Sequence, residues 1–102
     1  MSKRLAFLEQ HTASGKADSF AWYALALEYK GLGRTGDAVA TFERLREVDR
    51  GYVPMYLMCG QMLEGAGRED EAREWLEAGL TQAKAKGDGH AVSEIEAALA
   101  LL

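Results

Sequence analysis

The sequence predicts an all-α protein, a short solenoid of about six helices stacked as antiparallel pairs. The first reason is internal repetition at an offset of thirty-four residues. Gly31-Leu32-Gly33-Arg34 returns as Gly65-Ala66-Gly67-Arg68, and Ala38 and Glu43 return as Ala72 and Glu77. A fixed period of this size marks an array in which each repeat is one supersecondary unit and neighbours share a core. The second reason is apolar periodicity: on both sides of each glycine turn, apolar residues recur at helical spacing. The third is composition, 48% hydrophobic and 27% charged over 102 residues, which excludes disorder and allows a modest core.

Taken in order, residues 3–13 form an N-terminal cap helix. Stepping back thirty-four residues from Val39 and Phe42 lands on Leu5 and Leu8, so this segment reads as an orphan second helix covering the first repeat. Repeat 1 spans residues 19–52. Its first helix runs from Ser19 to Lys30, with Asp18 or Ser19 as the cap, and stops at Gly31 and Gly33 because glycine takes the left-handed conformation that ends helices. Its second helix starts near Thr35 or Gly36 and continues through Val39, Phe42, Leu45 and Val48 to a break at Arg50-Gly51. Asp37 stands at the positive end of that helix dipole.

Repeat 2, residues 53–86, follows the same plan. Pro54 sits at the helix start, where its missing N–H does no harm. Glu69, Asp70 and Glu71 load the first turn of the next helix, which carries Ala72, Trp75, Leu76 and Leu80 before a polar stretch from Lys84 to Gly87. A C-terminal cap helix, residues 88–102, has Asp88 as its cap and Val92, Ile95, Leu99 and Leu102 on one stripe. An array needs such caps because its end units would otherwise expose their stacking faces.

Charge and cysteine usage narrow the environment. The net charge is −4 with both signs scattered, and no basic patch speaks for nucleic acid. The apolar run behind Lys3 and Arg4 ends at Leu8, shorter than the ~7–15 residues of a secretory h-region. Nothing approaches the ~20 apolar residues of a membrane span. A lone Cys59 cannot pair internally, which fits a reducing compartment. The expectation is a cytoplasmic protein with neither membrane nor nucleic acid as partner.

The two copies resemble tetratricopeptide repeats, whose signature is W-x2-L-G-x2-Y followed by A-x3-F and a later proline. The first copy offers Trp22, Leu25, Ala26, Tyr29, Ala38 and Phe42, with alanine in place of the small glycine. The second offers Tyr56, Cys59, Gly60, Leu63, Ala72 and Leu76. The closing proline is absent from both, Arg50 and Lys84 standing there. Small residues at Ala26, Gly60, Ala38 and Ala72 permit close helix approach, while Trp22, Tyr29 and Phe42 fill the gaps.

The resemblance implies a right-handed superhelix whose first helices line a concave groove. There the first repeat presents Phe20, Tyr23 and Leu27 at i, i+3 and i+7, extended by Lys30. The matching positions of the second repeat are Pro54, Leu57, Gln61 and Glu64, and the final helix adds Asp88, Ala91 and Ile95. Such a surface suits an apolar or amphipathic partner segment anchored by Phe20 and Tyr23, with Lys30, Gln61 and Glu64 setting orientation. The expected function is therefore a protein–protein interaction module, an adaptor or assembly scaffold. Two other occupants of the same face stay open: the chain's own terminal helix, or a second copy in a homodimer. Members that hold acidic chaperone tails use a lysine–asparagine–arginine clamp. The corresponding places here carry Tyr23, Leu27, Met58, Asp88 and Val92, so that role is not expected.

No catalytic, cofactor or metal site is expected. His11 and His90 are far apart, Cys59 occupies an inward-facing signature position, and no zinc spacing exists. The Gly-x-Gly-Arg turns lack the remaining residues of a phosphate loop and follow no strand, so they read as helix stops. Glu69-Asp70-Glu71 lacks the alternating ligands and glycine of a calcium loop. Trp22 and Trp75 read as core, although Trp75 beside Leu76 could lie partly on the convex face and give a second contact surface.

Overall fold

Caps and glycines set the helix limits. In the computed structural model, which describes residues 2–102, the elements are α1 (Lys3–Ala13), α2 (Ser19–Gly31), α3 (Thr35–Val48), α4 (Val53–Gly65), α5 (Glu69–Ala85) and α6 (Gly89–Ala100). The described residues contain no strand. Ser2, Asp18 and Asp88 begin α1, α2 and α6, each with its side-chain oxygen accepting a first-turn backbone N–H. Asp18, rather than Ser19, is the cap of α2. The Ser19 hydroxyl instead donates to the Asp49 carboxylate at 2.7 Å, tying the start of α2 to the end of α3.

The glycine stops are closed by paired backbone bonds. At the end of α2, Gly33 has φ 75°, its N–H reaches the Lys30 carbonyl at 3.1 Å, and the Arg34 N–H reaches the Tyr29 carbonyl at 2.9 Å. The end of α4 repeats this, with Gly67 at φ 78°, Gly67 N–H to Glu64 and Arg68 N–H to Leu63. This pairing satisfies carbonyls that the last helical turn leaves open, and it needs a left-handed residue. The arginine that follows serves the next helix: Arg34 pairs with Asp37 at 2.8 Å and Arg68 with Glu71 at 2.7 Å. The Arg68 guanidinium holds the Glu71 carboxyl below its usual range. Arg34 also lies over the Tyr29 ring, 4.7 Å from its centroid.

The chain forms two compact units that divide between Asp49 and Arg50. In the first, α2 packs against both α1 and α3. Leu5 and Leu8 of α1, Leu25, Ala26 and Tyr29 of α2, and Ala38, Phe42 and Leu45 of α3 are buried. Trp22, expected in the core, is half-buried, with the Arg44 guanidinium 5.6 Å from its ring centroid. The Tyr29 hydroxyl donates to the Glu9 carboxylate at 2.5 Å, joining α2 to α1.

That bond, helped by burial, pushes the Tyr29 phenol up to about 12 from its ordinary value of 10.0. Because the folded value is raised, the protonated phenol stabilises the fold fully below the unfolded value. The contribution is lost as pH rises through the folded one. Tyr29→Phe should therefore lower stability at neutral pH while flattening the decline between about pH 10 and 12. Urea unfolding at stepped alkaline pH checks this, and an unchanged alkaline slope would argue against the Glu9 bond.

In the second unit α4, α5 and α6 all pack on one another. Tyr56, Met55, Cys59, Leu63, Leu76 and Ile95 are almost fully buried. The Tyr56 and Trp75 rings lie 5.9 Å apart. Trp75 is 5% exposed, so it gives no second contact surface; its place beside Tyr56 fills the α4–α5 gap. Helix α5 runs through the expected polar stretch to Ala85, and α6 ends at Ala100 rather than 102, leaving Leu102 to pack back against the α6 core.

Candidate functional site

Helix α2 carries apolar residues over most of its circumference, which is why two neighbours pack on it and a sector still remains. Ala21, Ala24, Leu25, Ala26 and Tyr29 are buried. The remaining sector holds the stripe anticipated from sequence: Phe20 and Lys30 are exposed, Tyr23 and Leu27 half-buried. The Tyr23 ring meets Phe42 edge-on at 6.4 Å, so part of its surface belongs to the contact with α3. Phe20 is 66% exposed and stands clear.

Beside Phe20 lies a cleft of about 430 Å³ between α1 and α2. Phe7 and Leu8 line it from α1, Phe20, Ala21 and Ala24 from α2. Arg4, His11 and Asp18 complete its lining. The cleft exists because α2 offers only methyl groups at Ala21 and Ala24, while bulky rings flank them. Phe7 is 64% exposed and stacks on His11 one turn along, 5.9 Å between centroids with the planes 9° apart. The sequence reading missed Phe7 and Arg4. The available signal was an aromatic residue off the Leu5–Leu8 stripe of α1, but nothing in the linear pattern places it opposite the alanines of α2.

The second unit treats its stripe differently. Leu57 is half-buried, packed against the cluster of Val53, Leu76, Ala83, Ile95 and Ala98. Gln61 is exposed and Glu64 half-buried. Ile95 is 1% exposed and lines no groove, contrary to expectation, because it is the residue that α6 inserts between α4 and α5. Asp88 caps α6, its carboxylate accepting the Ala91 N–H at 3.1 Å.

Cys59 is fully buried, and His90 sits on the surface 3.2 Å from Glu94. Among the described residues no group of histidine, cysteine or carboxylate side chains has metal-binding geometry. No helix there is long and apolar enough to cross a membrane.

With this geometry in hand, comparison with known proteins defines the class. A profile of the tetratricopeptide repeat matches residues 21–52. A crystal structure of a tetratricopeptide repeat domain protein from Salinibacter ruber is similar at 34% identity and a TM-score of 0.73, covering 80% of this chain and 92% of that one. The solution structure of the Salinibacter ruber domain gives 34% identity and a TM-score of 0.74, over 80% and 83% of the two chains. A solution structure of a protein from Bordetella parapertussis is similar at 25% identity and a TM-score of 0.81, over 97% and 86%. No curated protein sequence matches significantly. The chain belongs to the tetratricopeptide repeat family, whose fold is generally a protein–protein interaction module.

Proposed function

We propose that this protein binds a segment of another protein on the outward stripe of α2, with Phe20 as anchor and Tyr23, Leu27 and Lys30 along the contact. Leu57, Gln61 and Glu64 on α4 supply a second, more polar patch. The observation that carries the reading is Phe20: a bulky ring 66% exposed on a helix whose other sides are occupied. Exposed aromatic surface of this kind marks interfaces. The family's general use of the fold points the same way.

The test uses peptides selected from a random library against the purified chain. Leu27→Glu is expected to weaken their binding at least ~tenfold, a change of about 1.4 kcal/mol, with helical circular dichroism unchanged. A folded variant that binds as well as wild type would remove the α2 stripe from the function. Unfolding of the variant would mean that Leu27 serves the core and not a partner.

A further inference from the structure

We infer that the α1–α2 cleft docks a helix of another protein, laid antiparallel to α1 in the place that a repeat's first helix takes against its second. The inference does not rest on the α2 stripe, with which the cleft shares only Phe20.

The chain's own repeats show what covers such a lining. Helix α1 contributes Arg4, Phe7, Leu8 and His11 to the cleft. One offset of thirty-four residues further on, these positions become Ala38, Thr41, Phe42 and Leu45 of α3, every one buried, and α3 packs against α2. Two offsets on, they become Ala72, Trp75, Leu76 and Gly79 of α5, and α4 lies on them. The Tyr56 ring stands 5.9 Å from that of Trp75, while Gly79 closes on the Tyr56 side chain and Gly60 on Leu76. Helix α4 is joined to α5 by a short turn and runs antiparallel to it. It also packs against α6, which follows α5 as α2 follows α1. The α1–α2 pair thus repeats the receiving surface of the α5–α6 pair, and among the described residues that surface is open. Phe7 is 64% exposed, where Thr41 is 7% and Trp75 5%.

The chemistry of the occupant follows from α4. Its large Tyr56 and, four positions later, its small Gly60 set the close approach to α5. Residues four apart share a helix face. Against α1 the large residue would meet the Phe7 ring, which stacks on His11, and the small one would lie over Leu8. From α2 the cleft offers methyl groups at Ala21 and Ala24, so the rest of the contact is apolar. The partner helix is therefore amphipathic, with a large apolar residue four positions before Gly, Ala or Ser on its buried stripe. A second copy has no first helix with that face free. On α4 the face is buried, and on α2 it is buried apart from the half-buried Trp22. On α6 the same offset places His90, Ser93, Glu94 and Ala97 there, with His90 paired to Glu94.

The experiment displays random peptides of about sixteen residues, roughly four helical turns, and selects them against the whole chain. Enriched sequences are expected to share the large-to-small spacing of four on one apolar stripe. Their binding should fall at least ~tenfold in Phe7→Glu and stay unchanged in Leu27→Glu, with circular dichroism as in wild type. A second protein carries a copy of residues 52–68, the α4 segment and its turn, fused directly ahead of Met1, which keeps the repeat register. It should melt roughly 5 °C or more above wild type and no longer bind the peptides, because the copied helix fills the cleft. Enriched sequences without that spacing overturn the inference, as does a fusion that binds the peptides like wild type. Binding that ignores Phe7 but is lost in Leu27→Glu also overturns it, and in that case the α2 stripe reading stands. An absence of any enrichment overturns both. A concentration-dependent mass in light scattering that disappears in Phe7→Glu overturns it too, because the occupant would then be a second copy.

Discussion

Gly79→Ala is expected to lower the melting temperature by roughly 10 °C or more, the largest effect of any single methyl group in this chain. A Cβ at that position of α5 would stand 2.4 Å from the Tyr56 Cβ and 2.9 Å from its Cγ, with the Ile95 Cδ1 at 3.3 Å. Those Tyr56 atoms cannot swing away. Their ring is fixed by Trp75 on one side, and the hydroxyl donates to the Arg50 carbonyl at 2.5 Å. The backbones of α4 and α5 must separate instead. Overpacking of a tight core costs ~1–3 kcal/mol and sometimes more, against a helix-propensity gain of about 1 kcal/mol for Ala over Gly. Here the clash is between two Cβ positions, each fixed directly to its helix backbone, so the upper end applies. Each kcal/mol is worth ~4–8 °C in a domain of this size.

Gly60 gives the internal control. A Cβ there would meet Leu76 Cδ2 and Cγ at 2.6 Å, which are side-chain branch atoms rather than a Cβ tied to its backbone. Gly60→Ala should therefore cost less than Gly79→Ala. Thermal melts of the two variants decide it. A Gly79→Ala protein as stable as wild type would mean that α4 and α5 do not approach this closely.

Removing residues 88–102 is expected to unfold the second unit at room temperature. Ile95 is 1% exposed and Ala98 8%, and both belong to one buried cluster with Val53, Leu76 and Ala83. Val92, Leu99 and Leu102 pack around them. Large apolar side chains contribute ~1.5–3 kcal/mol each on burial, so losing this set costs on the order of 5 kcal/mol or more, comparable with the ~5–15 kcal/mol that holds a whole domain. The milder Ile95→Ala should cost ~2–5 kcal/mol, cavity included. Circular dichroism and dye binding by the truncated chain would show the loss. An unchanged melting temperature would mean that α6 is not a cap.

The helix limits were legible because they are local chemistry. Asp18 and Asp88 cap the helices they precede, and Gly33 and Gly67 have the positive φ that their turns demand. The orphan helix was legible through the repeat: Leu5 and Leu8, found by stepping back from Val39 and Phe42, are both buried. Gly79 was not legible. Its partner position in the first copy is Leu45, fully buried, so the two copies disagree there and the pattern alone offers no reason. The reason is three-dimensional, since the Tyr56 Cβ and Cγ and the Ile95 Cδ1 occupy the space that a side chain would need.

The candidate site divides along the same line. Phe20, Tyr23, Leu27 and Lys30 share one helix, and residues at helical spacing share a face whatever else the chain does. The sequence by itself thus determined the family, the helices and that stripe. Only the tertiary structure decided that Tyr23 leans on Phe42, that Leu57 packs on the cluster in which Ile95 is buried, and that Phe7 faces α2 across a cleft floored by alanines. These are contacts between residues on different helices, set by how closely the helices approach, and helical periodicity carries no information about that.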